Sequence, residues 1–324
     1  MFSQVSDTLA IVRMNRITWG VIAAMLLALG IVYPAAGLTL EIGDGWGLLL
    51  AAPACLLVSL YYRYRRIDRY ISTGAETGAQ LVLILLLGVL LSYAAATANF
   101  AYRDAELHAA DRWFGFDWRA YLDYFNTHFY LGYAAHIIYL SINLQPILVI
   151  FALTAAGQFL RLQQFVLATG LALCATITIF IFTPAVNNFA FHNLQQSDFA
   201  NLSPTFSFDI AHHLEALRHA TTYVVRLDGL DGLITFPSFH AVSALLFVWA
   251  AWPIRQLRWG ICLLNLVMVA AIPVDGGHYL IDIVAGGVVA AIAVLATIRL
   301  QRPLLTVRSD ALPKVSAPAD EPAL

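Results

Sequence analysis

Long apolar runs separated by short polar stretches dominate the chain, and their lengths decide its architecture. A helix needs about 20 apolar residues to cross a bilayer. Eight runs of that kind predict eight spanning helices, at roughly 15–37, 45–62, 76–98, 128–155, 164–186, 237–253, 259–274 and 279–299. The stretches 99–126 and 187–235 are the two long interruptions. In the first, Asp104, Glu106, Asp111, Asp117 and Asp123 interleave with Trp113, Phe114, Phe116 and Trp118, a pattern that predicts an interfacial amphipathic helix, serving as an anchor or as part of a substrate portal. In the second, a helix is expected over 209–226, carrying His212, His213, Glu215, Arg218 and His219. The fold class that follows is an all-α polytopic membrane protein of about eight transmembrane helices, with interfacial helices in two outer loops.

Composition agrees with that class. Hydrophobic residues make up 60% of the 324 and charged residues 12%, and the mean hydropathy is +0.74, so one soluble core could not bury the apolar surface. The net charge of −2 points to no partner class, and no nucleic-acid partner is expected. Cys55, Cys174 and Cys262 fall in three different predicted spans, where cysteine acts as a small apolar residue, so neither a disulfide nor a zinc framework is implied. Arg13 and Arg16 ahead of an apolar run ending in Ala35-Ala36-Gly37 also fit a cleaved signal peptide; either reading leaves the later topology unchanged. Asn201-Leu202-Ser203 is a sequon followed by Pro204 and is taken as incidental.

Charge then orients the helices. With a cytoplasmic N-terminus and an even number of spans, 13 of the 18 basic residues fall inside: Arg13, Arg16, Arg63, Arg65, Arg66, Arg69, Arg161, Arg255, Arg258, Arg299, Arg302, Arg308 and Lys314. That is the bias short cytoplasmic loops carry. Both termini are therefore expected in the cytoplasm, and the outer face keeps Arg103, Arg112, Arg119, Arg218 and Arg226. Three units are expected: N-terminal helices and a basic loop over 1–75, a transmembrane domain over 76–302 that holds both long loops, and a disordered cytoplasmic tail over 303–324.

Two motifs on that outer face bear chemistry. Pro237-Ser238-Phe239-His240 and Gly276-Gly277-His278-Tyr279-Leu280-Ile281-Asp282 each open a predicted span. His278 and Asp282 stand at i and i+4, which places them together on one helix face. Both helices would point their N-termini outward, and a helix N-terminus offers free N–H groups and partial positive charge to an anion such as phosphate. Ser238 is expected to cap its helix and donate to phosphate, and Gly277 to let backbone approach it. His278, oriented by Asp282, would be the nucleophile, and His240 the proton carrier.

These residues resemble the type 2 phosphatidic acid phosphatase superfamily, with its motifs Pro-Ser-Gly-His and Ser-Arg-x5-His-x3-Asp. Phe239 replaces the glycine, and Ala271 and Ile272 stand at the Ser-Arg positions. The family's Lys-x6-Arg-Pro motif has no counterpart outside, since Lys314 is the single lysine. The motifs are more similar to the branch with inositol phosphorylceramide synthases, which carries Pro-Ser-x-His and His-Tyr-x-x-Asp; residues 278–282 also resemble the corresponding stretch of sphingomyelin synthases. The likeness is specific over roughly 205–290, vaguer over Asp111 to Trp118, and weak over the first 100 residues.

The resemblance implies a six-helix phosphatase-like core, a His240–His278–Asp282 triad and phosphoryl transfer from a membrane phospholipid to a lipid alcohol or to water, without metal or cofactor. It also implies a missing phosphate-binding arginine, for which Arg218 and then Arg226 are the candidates, with Arg112 behind them. Two other readings stay open: a zinc site from His240, His278 and Asp282, and a transporter with a His-Asp proton relay. His136, inside the fourth predicted span, is read as a helix-packing residue.

Overall fold

The fold is given by a computed structural model that describes residues 2–202 and 204–301. The expected disordered tail with Lys314, and Ser203 of the sequon, lie outside the described residues. In chain order the elements are α1 (Phe2–Ala35), β1 (Leu38–Glu41), α2 (Trp46–Tyr64), α3 (Arg69–Ala96), α4 (Asp104–Trp113), α5 (Trp118–Thr127), α6 (Phe129–Leu140), α7 (Gln145–Ala155), α8 (Phe159–Phe182), α9 (Asn188–Phe191), α10 (Thr205–His219), β2 (Tyr223–Arg226), α11 (Phe239–Ala251), α12 (Arg258–Asp275) and α13 (Leu280–Leu300). The chain is an all-α polytopic membrane protein.

Six helices, α1, α2, α3, α8, α12 and α13, are long and apolar enough to cross a membrane. The fourth predicted span is two helices and not one. α6 and α7 meet at a 52° bend where Ser141, Asn143, Gln145 and Pro146 interrupt the apolar run. The polar groups there find partners: Gln145 Nε2 donates to Ser141 Oγ (3.0 Å), and Asn265 Nδ2 of α12 donates to Gln145 Oε1 (2.6 Å). A break at membrane depth is stable only with such satisfaction.

The sixth predicted span needs correction. α11 has 13 residues, about 20 Å of helix, short of a hydrocarbon core of about 30 Å. Its N-terminus starts within the bundle, where Ser238 N donates to Asp282 O, 3.1 Å away. The irregular segment leading to it is held by protein groups: Leu233 N donates to Ser92 Oγ (3.3 Å) and Thr235 Oγ1 to Ala185 O (2.6 Å). Hydropathy registers an apolar loop and a short helix as one run.

α3, α6–α7, α8, α11, α12 and α13 pack against one another as the core, and α1 rests on α3 and α8 while α2 lies along α3. Glu76 of α3 fastens the N-terminal helices: it accepts from Asn15 Nδ2 (3.1 Å) and Trp19 Nε1 (3.2 Å) of α1 and pairs with Arg63 of α2.

The helix expected over 209–226 ends at His219. Ala220 turns to extended backbone, and Tyr223–Arg226 pairs in parallel with Leu38–Glu41, in the register Leu38↔Tyr223 to Glu41↔Arg226. The Val224-Val225 pair is β-branched and suits a strand, but its partner strand lies far away in sequence, beyond the reach of local patterning.

Candidate active site

The turn between α12 and α13 carries the second motif. Gly277 sits at φ +62°, and a Cβ there would lie 2.7 Å from the Phe189 ring, so the position needs glycine for both backbone freedom and close packing. Its carbonyl accepts from Asn188 N at 2.9 Å. Gly277 is thus a turn residue buttressed by α9, and Gly276 is the glycine that lines the cavity beside His278.

His278 precedes the first turn of α13. Asp282, 1% exposed, reaches back to it: Oδ2 lies 3.0 Å from His278 Nδ1 and accepts from Tyr279 N at 2.9 Å. One carboxylate therefore caps the helix and orients the imidazole. Nδ1 facing a carboxylate carries the proton, so Nε2 keeps its lone pair.

α4 builds the support beneath this turn. Asp111 accepts from Leu280 N (2.8 Å) and Ile281 N (3.0 Å). Asp104 accepts from the Tyr279 hydroxyl (2.9 Å), from Val186 N and from Asn187 N. Burial pushes both carboxyls above the usual range, with the backbone N–H donors pulling in the opposite direction. The free N–H groups that α13 was expected to offer a phosphate are thus occupied by protein. Neither of the roles expected for this stretch, anchor or portal, describes these two aspartates. A local signal existed: Asp104, Leu107 and Asp111 recur at i, i+3, i+7 on one face of α4, and all three are buried, whereas Glu106 pairs with Arg103 in the open.

α11 brings His240 to the same place. Ser238 is its N-cap, fully buried, its Oγ accepting from Ala241 N at 3.5 Å. It does not line the cavity. Gly286 of α13 lets the helices touch, since a Cβ there would fall 2.5 Å from Ser238 O. The His240 ring stacks on Tyr139 of α6, centroids 3.9 Å apart at 15°. His240 and His278 then line one cavity of about 500 Å³, with Tyr139, Ser207 and Asp231 near them and Leu81, Leu85, Phe165, Leu246 and Phe247 on its apolar walls.

Among the described residues, no lysine or arginine lines that cavity. Arg218 lies elsewhere, its Nη2 donating to Phe100 O (2.6 Å) and its guanidinium 3.4 Å over the Tyr102 ring. Arg226 pairs with Glu41 (3.1 Å) and Asp228 (2.8 Å) beside the β1–β2 pair, and Arg112 pairs with Asp117 (2.7 Å). The phosphate-binding roles expected for Arg218 and Arg226 therefore find no support in this geometry.

One pair near the site is invisible to the motifs. Asp275, the last residue of α12 and 6% exposed, lies 3.1 Å from Nδ1 of His136, one turn before Tyr139 on α6. Ser207 Oγ donates to its carbonyl at 2.9 Å. His136 packs helices, as expected, through a carboxylate three residues before His278. Among the described residues, no group of three or more His, Cys, Asp or Glu side chains is arranged to hold a metal ion.

Comparison with known proteins adds one match. A family model described as PAP2 superfamily matches residues 105–296, from α4 into α13, which includes both histidines, Asp282 and Asp111 of the two supporting aspartates. No curated protein and no solved structure matches the chain. The chain belongs to the PAP2 superfamily, which makes its function one of the lipid phosphatase or phosphotransferase type.

Proposed function

We propose that the chain is a phosphotransferase of the inositol phosphorylceramide synthase-like branch, moving a phosphoryl-linked headgroup from a membrane phospholipid to a lipid alcohol. The observation that carries the reading is the His278–Asp282 contact of 3.0 Å opening on a cavity shared with His240 and otherwise mostly apolar. Residues 76–302 form the catalytic unit in this reading, and the distribution of arginines favours an extracytoplasmic site with both termini in the cytoplasm.

The steps follow from the side chains. His278 Nε2 attacks phosphorus while the bond to the leaving alcohol breaks, and His240, which takes a proton from solvent when the anionic phosphate enters beside it, gives that oxygen its proton. Asp282 stabilises the positive charge that grows on His278. The neutral His240 then takes the proton of the acceptor hydroxyl, whose oxygen attacks phosphorus as the P–N bond breaks, and the triad is restored. Apolar walls favour a lipid alcohol over water as acceptor, because they give an acyl or sphingoid chain a place to lie and hold bulk water out.

The test is to incubate purified protein with labelled phosphatidylinositol, with and without ceramide or diacylglycerol. Acceptor-dependent formation of a labelled lipid product is expected. Release of inositol phosphate or free phosphate at the same rate without an acceptor would overturn transfer in favour of hydrolysis.

A further inference from the structure

Arg218 is left without a role by the chemistry above, and its surroundings point to one. The four other arginines of the outer loops are ion-paired: Arg103 with Glu106, Arg112 with Asp117, Arg119 with Asp123, and Arg226 with Glu41 and Asp228. Arg218 makes no ion pair with any described residue. Its Nε is buried without a hydrogen-bond partner, and its guanidinium is held by the Phe100 carbonyl and the Tyr102 ring, contacts that fix its position without a carboxylate in direct contact.

That charge stands at one end of a groove of about 1040 Å³ between α1, α3 and α8. The walls are apolar, among them Met25 and Val32 of α1, Leu91 of α3, and Leu171 and Ile181 of α8. Along α8 the groove runs ten residues, about 15 Å. It shares no lining residue with the His240–His278 cavity, which lies against other faces of α3 and α8. Large apolar side chains beside it on α1, such as Leu27 and Ile31, are more than 60% exposed, so the groove borders lipid.

We infer that this groove is a second lipid site, holding an anionic phospholipid with its phosphate at Arg218 and one acyl chain between α1 and α8. A guanidinium without a direct ion pair at the end of an apolar channel suits one ligand chemistry, an anion joined to a long hydrocarbon. A zwitterionic lipid offers the same chain but brings a cation alongside its phosphate, which weakens the attraction.

Binding of phosphatidylglycerol and phosphatidylcholine with matched chains to the purified full-length protein, counted by native mass spectrometry, tests this. The wild type is expected to retain phosphatidylglycerol about 10-fold better, the span of one charge-assisted contact. Arg218→Gln should remove the preference and Arg218→Lys keep part of it. Thr178→Trp, at an exposed groove position away from Arg218, should block both lipids, and a monodisperse elution profile establishes that each variant is folded. His278→Ala should leave the preference intact. An unchanged preference in folded Arg218→Gln, or loss of it in folded His278→Ala, would overturn the proposal; the second result would place the lipid in the other cavity, leaving the transferase reading untouched.

Discussion

Two cavities flank α3 and α8, and their polar equipment is complementary. Among the described residues, the smaller holds two histidines and Asp231 with no arginine or lysine on its walls, and the larger holds Arg218 with no histidine. The difference lies in what supports each polar group. His278 is fixed through Asp282 and, behind it, by Asp104 and Asp111 of α4, a chain of buried bonds suited to geometry that must hold during bond making. Arg218 rests on one carbonyl and one ring, suited to holding a charge in place. The proposed nucleophile and the arginine without an ion pair among the described residues, which the family resemblance suggests should act together, stand on opposite sides of two helices.

The sharpest way to break this division is at the proposed nucleophile. His278→Ala is expected to lower turnover about 10,000-fold, measured as acceptor-dependent product per folded protein; residual activity near wild type would remove the histidine cavity from the chemistry. Asp282→Asn keeps an acceptor for Tyr279 N but loses the charge beside His278. It should lower kcat about 100- to 1,000-fold with KM little changed, and a fall confined to KM would make Asp282 a binding residue.

Effects on the supporting layer are smaller and appear in stability. Asp111→Ala leaves Leu280 N and Ile281 N without their acceptor and should cost about 2 kcal/mol, seen as a lower unfolding midpoint in detergent together with reduced kcat. An unchanged midpoint would mean that water or lipid replaces the carboxylate readily. Tyr279→Phe removes one hydrogen bond to Asp104 and should cost about 1 kcal/mol. Least affected should be Arg226→Gln, since exposed ion pairs such as those with Glu41 and Asp228 contribute little; turnover within twofold of wild type is expected, and a large loss would return Arg226 to the phosphate.

Legibility in the sequence followed distance along the chain. His278 and Asp282 are four residues apart, so their contact could be read from spacing, although it forms as a reach back from the first turn of α13 and not along a helix face. Ser238 as an N-cap was equally local. Arg218 was not legible in this way: its partners Phe100 and Tyr102 are more than 110 residues earlier, and the absence of a family arginine says only that a cation is missing, not which one could reach the site. Asp275 was hidden because a lone aspartate at the end of an apolar helix looks the same whether it faces His136 or headgroups.

The hydropathy pattern by itself determined that this is a multi-helix membrane protein, where most of the spans lie, and that each of the two histidine motifs stands at the start of an apolar run. Hydrocarbon imposes the same length and apolarity on every span, so that information is written locally. Tertiary structure decided the rest: that α11 is short and starts deep in the bundle, that α6 and α7 bend, that 223–226 is a strand paired with 38–41, and that α4 occupies the N-terminus of α13. Each of these depends on polar groups finding partners from distant parts of the chain, because an unpaired backbone group is costly inside a bundle and pattern alone does not say which distant residue will satisfy it.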